Sequence, residues 1–186
     1  VMNDIIVQAL QCDYSRVATI HFANSHDHTF EWLWERNQGQ PIVNHQLWDN
    51  WHAMVHADYQ HGMEHVFYWY MEVFSDLLHR LSQSTDSDGD NMLDTSLVLC
   101  LSEFSSGRHW HSSLPILLAG NPSYGGQWLD FMAGSVEDWE AAGGQLSSGY
   151  TMNQFLLSLL HIFGFDDSEF GYVPPEQPSG PLPGLV

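Results

Sequence analysis

One stretch of helical periodicity, from Met63 to Leu81, constrains the fold of this chain more than any other feature. Apolar residues recur there at steps of three and four positions, namely Val66, Trp69, Tyr70, Val73, Leu77, Leu78 and Leu81. Such spacing places an apolar stripe along one side of a helix. The pattern therefore predicts a long amphipathic helix in the middle of the chain.

Three short apolar runs are typical of buried strands: Arg16–Phe22 (RVATIHF), residues 95–102 (TSLVLCLS) and Leu114–Gly120 (LPILLAG). A helix is predicted over Asn3–Gln11, whose apolar residues cluster toward one side, and another over Thr151–Phe163. Strand–helix–strand alternation is typical of α/β proteins. We therefore expect a layered α/β domain with a mainly parallel sheet.

The length of 186 residues fits one domain with a substantial core. We expect a single α/β domain over residues 1–171, which includes a long His- and Trp-rich loop over residues 23–60. Loops of that length inside a domain are usually functional or are held by a partner. Residues 172–186 are rich in Pro and Gly and are expected to wrap the surface as a tail.

The charge balance limits the partners of the chain. Twenty-three acidic residues stand against four arginines and no lysine, giving a formal net charge of −19. Such a surface repels phosphate backbones and anionic membranes, so we expect no nucleic-acid binding. It suits cations, a salty medium or a basic partner, and it also simply maintains solubility.

No run of about 18 apolar residues is present, so no membrane span is expected. The sequence opens at Val1 without a signal peptide, so an exported protein would have lost its signal or carry it outside this segment. The two cysteines, Cys12 and Cys100, are expected to be buried free thiols, with a disulfide between them as the alternative.

Metal ligands are predicted just after the second strand. Ligands of open parallel sheets lie at the carboxyl ends of the strands, which is where Glu103 falls. His109 and His111 are two residues apart, so in an extended chain both imidazoles point to the same side and could bind one metal ion. The alternative is a polar loop whose histidines are merely exposed.

A second group of histidines lies within residues 45–65. His52 and His56 are four residues apart, and so are His61 and His65, so each pair shares one helical face if its stretch is helical. His21, His26 and His28 follow the first predicted strand and could join the same rim.

The segment HGMEH (His61–His65) matches the inverted zinc-peptidase motif H-x-x-E-H. In that motif the two histidines bind zinc and Glu64 would act as general base. The five-residue pattern is weak in a chain with twelve histidines, and no downstream acidic ligand is assigned.

The segment Asp86–Asp94 resembles a calcium-binding loop. With Gly89 in the sixth position, however, Ser84 and Thr95 fall in the first and twelfth positions, and neither is a good ligand. A surface turn is therefore the preferred prediction.

The order of three segments, DGDNMLDTSLVLCLSEF, HWHSSLPILLAG and GPLPGL, resembles the secreted bacterial family named for an H-x-x-S-H-H motif. The segment CDYSRVATIHFAN (Cys12–Asn24) is also similar to an early strand segment of that family. The resemblance implies a periplasmic or extracellular protein and covers what looks like the C-terminal part of a longer member. The naming motif is incomplete: HAMVHA keeps His52 and His56 but has Val55 in place of serine and Ala57 in place of the last histidine.

LDTSLVLCLSEF also looks like the strand of alkaline phosphatases and sulfatases whose terminal acidic residue binds a catalytic divalent metal. The resemblance gives that role to Glu103, whereas Phe104 replaces an expected ligand, for which His109 or His111 could substitute. It implies the C-terminal part of an alkaline-phosphatase-like fold. No matching nucleophile segment is found, so the chain is expected to be a fragment lacking its N-terminal part or a member that has lost activity.

These patterns leave three functions open. The first is an exported phosphatase- or sulfatase-like hydrolase with a degraded site, using zinc or a similar divalent metal bound by Glu103, His109 and His111, with His52 and His56 lining the site. The second is a non-catalytic exported scaffold that binds other protein chains or a missing N-terminal segment through its Trp-rich loop and tail. The third is a zinc peptidase using His61, Glu64 and His65.

Overall fold

Four helices and two strands form the regular structure of the part of the chain that the computed structural model describes. That part comprises residues 1–22, 30, 33, 51–57, 60–102, 114–121, 126–127, 129, 149–175 and 177–186. The elements are α1 (Met2–Gln11), α2 (Trp51–His56), α3 (Gln60–Ser82), β1 (Leu97–Leu101), β2 (Ile116–Gly120) and α4 (Met152–Ile162). The helices predicted over Asn3–Gln11, Met63–Leu81 and Thr151–Phe163 are thereby confirmed to within a few residues.

The sheet corrects the predicted fold class. β1 and β2 pair in antiparallel register, from Leu97 opposite Gly120 to Leu101 opposite Ile116, and form a two-stranded sheet. The prediction of a layered α/β domain with a mainly parallel sheet, like the C-terminal part of an alkaline-phosphatase-like fold, is therefore wrong for the described residues. A parallel pair needs a crossover, usually helical, and no helix is predicted between these two strands; consecutive strands without one pair antiparallel.

The segment Arg16–Phe22, predicted as the first strand, forms no strand. The segment is rich in β-branched residues, but strand formation also depends on packing against a neighbouring strand. Val17 is 80% exposed, and the segment has no strand partner within the described part of the chain. Among the described residues, α3 therefore connects no pair of strands.

Helix α1 packs on the C-terminal half of α3 through an apolar cluster. Val7, Leu81 and Met92 are its buried members, and Leu10, Leu77, Leu93 and Val98 pack against them. The cluster thus joins α1, α3, the turn after α3 and β1. Burial of one residue of this size contributes about 1.5–3 kcal/mol to folding, so these side chains hold the four segments together.

Polar contacts between α1 and α3 surround this cluster. The Asn3 amide donates to the Val73 carbonyl at 3.0 Å and to the Asp76 carboxylate at 2.8 Å. Arg80 donates to the carboxylates of Asp76, at 2.7 Å, and of Asp4. Arg80 therefore links the first turn of α1 with the last turns of α3.

A second apolar cluster lies at the N-terminal end of α3. Phe30, Leu33, Met54 and Val66 are buried in it, and Met63, Trp69 and Tyr70 pack against them. Met54 belongs to α2 and Val66 to α3, so this cluster holds the two helices against each other. Burial raises the pKa of the Tyr70 hydroxyl.

The chain divides into two compact units, one of residues 1–109 and 115–125 and the other of residues 110–114 and 126–186. The elements α1, α2, α3, β1 and β2 belong to the first unit, and α4 to the second. The prediction of one domain over residues 1–171 with a tail over 172–186 stays a prediction.

In the second unit, α4 begins with a capping box. The Thr151 side chain accepts from the Gln154 N–H at 3.3 Å, and the Gln154 side chain accepts from the Thr151 N–H at 3.2 Å. Further along α4, the fully buried Ser158 hydroxyl accepts from the Leu182 N–H at 2.7 Å. Leu182 and Leu185 are buried, so the C-terminal tail of this unit packs onto its own helix.

Among the helices that the described residues form, none is both long enough and apolar enough to cross a membrane. The predicted absence of a membrane span is confirmed to that extent.

Candidate metal centre

Helix α2 is short, and its position depends on one buried residue. A helix of six residues is too short to be stable in isolation. Met54, with 0% of its surface exposed, anchors α2 in the apolar cluster with Val66. His52 and His56 each lie two positions from Met54, about 200° around the helix, and so project from the opposite side.

The rings of His52 and His56 meet on this outer face. Their Nε2 atoms are 2.9 Å apart, and their ring centroids are 4.5 Å apart with the planes at 71°. His52 is half-buried and His56 is exposed, so the nitrogen pair is accessible from solvent. At this distance one Nε2 can donate a hydrogen bond to the other, and which nitrogen donates depends on the tautomers of the two rings.

The spacing of the two nitrogens suits a shared metal ion. Zinc binds histidine nitrogen at about 2.0–2.1 Å in tetrahedral geometry, which places two such nitrogens about 3.3 Å apart. The observed 2.9 Å is shorter by about 0.4 Å, a difference that a small rotation of the exposed His56 ring supplies. Histidines four residues apart on one helical face are also the zinc pair of a known metalloprotease motif.

The remaining predicted ligands, Glu103, His109 and His111, lie outside the described residues. Their prediction rested on a parallel strand that ends at Glu103, whereas β1 is antiparallel to β2. Across the described ranges, no group of three or more His, Cys, Asp or Glu side chains has a metal-binding arrangement. His52 and His56 are therefore the predicted ligands that the structure brings together.

The zinc-peptidase segment His61–His65 lies in the first two turns of α3. The helix puts positions 61 and 65 on one face, as the motif requires. Glu64 is exposed and His65 is half-buried. The zinc-peptidase alternative with His61, Glu64 and His65 stays a prediction.

His21 is exposed at the end of the 16–22 segment, and His26 and His28 lie outside the described residues. The predicted rim of histidines around one site therefore stays a prediction.

The turn predicted over Asp86–Asp94 is confirmed. The Asp86 carboxylate accepts from the N–H groups of Asp88 at 3.0 Å and Asp90 at 2.9 Å, and from the Thr95 hydroxyl at 3.1 Å. The bond from the Asp90 N–H is the main reason that the pKa of Asp86 is lowered. The Asp86 carboxylate thus stabilises the turn through these three hydrogen bonds.

Both cysteines are free, as predicted. Cys12 is exposed, so the expectation that both thiols are buried is wrong for this residue. Cys100 in β1 is half-buried, and burial raises the pKa of its thiol.

The spacing of four residues predicts that His52 and His56 share one face if their stretch is helical. The sequence does not predict the helix itself, because weak periodicity in residues 23–60 indicates a loop. Of the three apolar residues between the two histidines, Ala53, Met54 and Val55, the structure buries Met54, which lies about 200° from each histidine.

Comparisons with known proteins assign this chain to no family. No family model, no curated protein and no solved structure matches this chain.

Proposed function

We propose that this chain is a metal-binding protein that holds zinc or a similar divalent ion between His52 and His56. The observation that carries the proposal is the 2.9 Å separation of the two Nε2 atoms on an accessible face of α2. Two neutral imidazole nitrogens are good ligands for zinc and for the neighbouring transition metals. The net charge of −19 adds a field that draws cations toward the protein.

A metal ion needs further ligands besides these two nitrogens. Glu103, His109 and His111 remain our candidates for them, because a carboxylate and two closely spaced imidazoles complete a tetrahedral donor set. The two histidines at the metal-binding helix are also those that the resemblance to the H-x-x-S-H-H family retains, which supports the same pair independently of distance. On that resemblance we propose an exported location, periplasmic or extracellular.

The reaction we propose for the metal-loaded protein is hydrolysis of a phosphate or sulfate ester. A divalent ion would supply the positive charge that such an anion needs in a protein this acidic. The resemblance of LDTSLVLCLSEF to phosphatase and sulfatase strands supports this reaction, whereas the antiparallel pairing of β1 removes the support from strand topology. Val55 and Ala57 in the motif, together with Phe104, favour the alternative of a non-catalytic exported scaffold or interaction subunit of a larger assembly.

A metal titration tests the proposal directly. The apo protein is titrated with zinc by calorimetry, and the metal content of the dialysed protein is measured by elemental analysis. We expect one zinc per chain. His52→Ala and His56→Ala should each weaken binding by at least about 100-fold, since even an outer-shell partner of a ligand is worth roughly 10–100-fold.

His79→Ala is the matched control, because it removes one exposed imidazole from a neighbouring helix and leaves the pair intact. Zinc affinity equal to that of the wild type in both His52→Ala and His56→Ala would overturn the metal site. Hydrolysis of model phosphate and sulfate esters by the loaded protein then separates the catalytic alternative from the non-catalytic one. Activity that His56→Ala abolishes supports the hydrolase, and full zinc binding without turnover supports the scaffold.

A further inference from the structure

The backbone of residues 18–22 forms no hydrogen bond with the described part of the chain. Their N–H and C=O groups bond to no residue that the structure describes, and the segment contains no helix, turn or strand. Its sequence, VATIHF from Val17 to Phe22, is rich in β-branched and aromatic residues that favour strands. Backbone groups that bond to none of the described residues, in a segment of strand-forming side chains, are a template for pairing with another strand.

Both ends of the segment are held. At one end, Arg16 donates to the Asp13 carboxylate at 3.0 Å, and Ser15 closes a turn with Val17. At the other end, the ring of Phe22 packs against Trp69 at 5.7 Å and Tyr70 at 5.3 Å between centroids. Anchoring at both ends reduces the conformational entropy that the segment must lose when it is ordered by a partner.

Exposure of the side chains leaves room for that partner. Val17 is 80% exposed, and Ala18 and Thr19 are exposed, whereas Ile20 is half-buried. A strand pairing with this segment would therefore cover apolar side chains as well as satisfy the backbone. Affinity in such complexes comes from main-chain hydrogen bonds, and specificity comes from the side chains.

We propose that residues 17–22 are a docking strand for an extended, basic segment of a partner polypeptide. Charge selects this partner. The whole chain carries −19, and Asp88, in the acidic turn after α3, acts electrostatically on Arg16 at the start of the segment. Lysine and arginine side chains on the incoming strand are attracted to this surface, whereas a second copy of the chain is repelled by it.

Hydrogen exchange with model peptides tests the docking strand. The probes are a seven-residue peptide of alternating lysine and valine, the same peptide with glutamate in place of lysine, and a lysine peptide whose backbone is N-methylated on its pairing edge. We expect the lysine peptide to slow exchange by at least about tenfold at alternate amides of residues 18–22, because successive N–H groups of a strand point to opposite edges and one partner covers one edge. The glutamate and N-methylated peptides should leave these amides unchanged.

Three variants complete the test. Ala18→Pro and Thr19→Pro remove N–H groups from opposite edges of the segment, so one of the two should abolish peptide binding. Neither should change the thermal midpoint, because both residues are exposed and have no hydrogen bond to lose within the described chain. Thr19→Ser keeps the N–H and should bind as the wild type does. Slow exchange of residues 18–22 in the free protein overturns the proposal, because the segment is then already paired. Equal binding of the lysine and glutamate peptides overturns it too, as does protection that rises with protein concentration, which identifies a second copy as the occupant.

Discussion

The side chain of Asn3 donates a hydrogen bond to the carboxylate of Asp76, 73 positions along the chain, at 2.8 Å. Asn3 is 6% exposed, and the same amide nitrogen also donates to the Val73 carbonyl. The side-chain oxygen of Asn3, Oδ1, has no hydrogen-bond partner in the described structure. Because both hydrogens of this buried amide are donated to acceptors on α3, Asn3 fixes the position of α1 on that helix.

Replacing Asn3 by alanine should therefore destabilise the first unit. Loss of two hydrogen bonds, one of them to a carboxylate, is expected to lower the free energy of unfolding by about 1–3 kcal/mol. Urea denaturation followed by circular dichroism measures the change. Gln8→Ala, at an exposed position of the same helix, is the control and should stay within about 0.5 kcal/mol of the wild type. Equal effects of the two substitutions would mean that the Asn3 contacts contribute nothing.

The same carboxylate predicts a pH dependence on the acid side. Hydrogen bonds from Arg80 and then from Asn3 hold the pKa of Asp76 below its ordinary value of 3.8. Because the folded-state pKa is the lower one, the stabilisation is complete above the unfolded-state pKa and is lost as the pH falls through the folded-state pKa. Asp76→Asn should thus be less stable than the wild type at pH 6, and the gap should shrink below about pH 4.

Unfolding free energies from urea titrations between pH 6 and pH 2.5 measure that gap. Asp94→Asn, at an exposed position of the turn after α3, is the matched control. A gap that stays constant over this range would show that ionised Asp76 does not hold α1 and α3 together.

Gly120 ends β2 at a position where a side chain would collide with the backbone. Its φ is +94°, and an added Cβ would lie 2.1 Å from the Ser96 carbonyl oxygen. Gly120→Ala should cost the conformational strain of positive φ and, in addition, about 1–3 kcal/mol for the overlap. Gly89, with φ of +91° and open space around its Cβ position, isolates the first term. We expect Gly120→Ala to lower the thermal midpoint clearly more than Gly89→Ala; similar midpoints would contradict the close approach.

Ser158 ties the C-terminal tail to α4 in the second unit. Its hydroxyl donates to the Gln154 carbonyl at 2.9 Å and accepts from the Leu182 N–H at 2.7 Å. Ser158→Ala leaves the Leu182 N–H buried without an acceptor, at a cost of about 1–3 kcal/mol. We expect faster amide exchange at Leu182 and faster proteolysis within residues 177–186. Ser168→Ala, at an exposed position, should change neither rate.

The sequence predicted the helices better than the sheet because the two signals have different range. The stripe through Val66, Leu77 and Leu81 is local, and each turn of α3 repeats it, so the helix could be located from its own residues. The direction of β1 depends instead on its partner β2. Whether the segment RVATIHF forms a strand also depends on a partner strand, and the described residues contain none for it. Strand propensity indicates which segments can pair but does not indicate with what they pair.

The candidate site divides along the same line. The contact between His52 and His56 is a local consequence of one helical turn, so spacing alone predicted it on condition that the stretch is helical. The predicted grouping of Glu103 with His109 depends on a parallel strand that ends at Glu103. Because β1 is antiparallel to β2, strand geometry no longer supports this grouping, although both residue types are good metal ligands.

Met54 should control metal binding without touching the metal. It anchors α2 from the face opposite the two histidines, and its side chain is fully buried. Met54→Ala removes that anchor at a cost of about 2–5 kcal/mol, and a six-residue helix without tertiary support does not persist. Because the two imidazoles then lose their fixed spacing, zinc affinity should fall by roughly 10–100-fold, as for loss of other groups that orient a ligand.

Met54→Leu separates positioning from general unfolding. Leucine fills nearly the same volume, so this variant should recover most of the stability and zinc affinity near that of the wild type. Saturating zinc should also raise the thermal midpoint of Met54→Ala, since a ligand that binds only the folded helix stabilises it by mass action. If Met54→Ala binds zinc as tightly as the wild type while its stability falls, the metal does not depend on the helical spacing of His52 and His56, and the site must lie elsewhere in the chain.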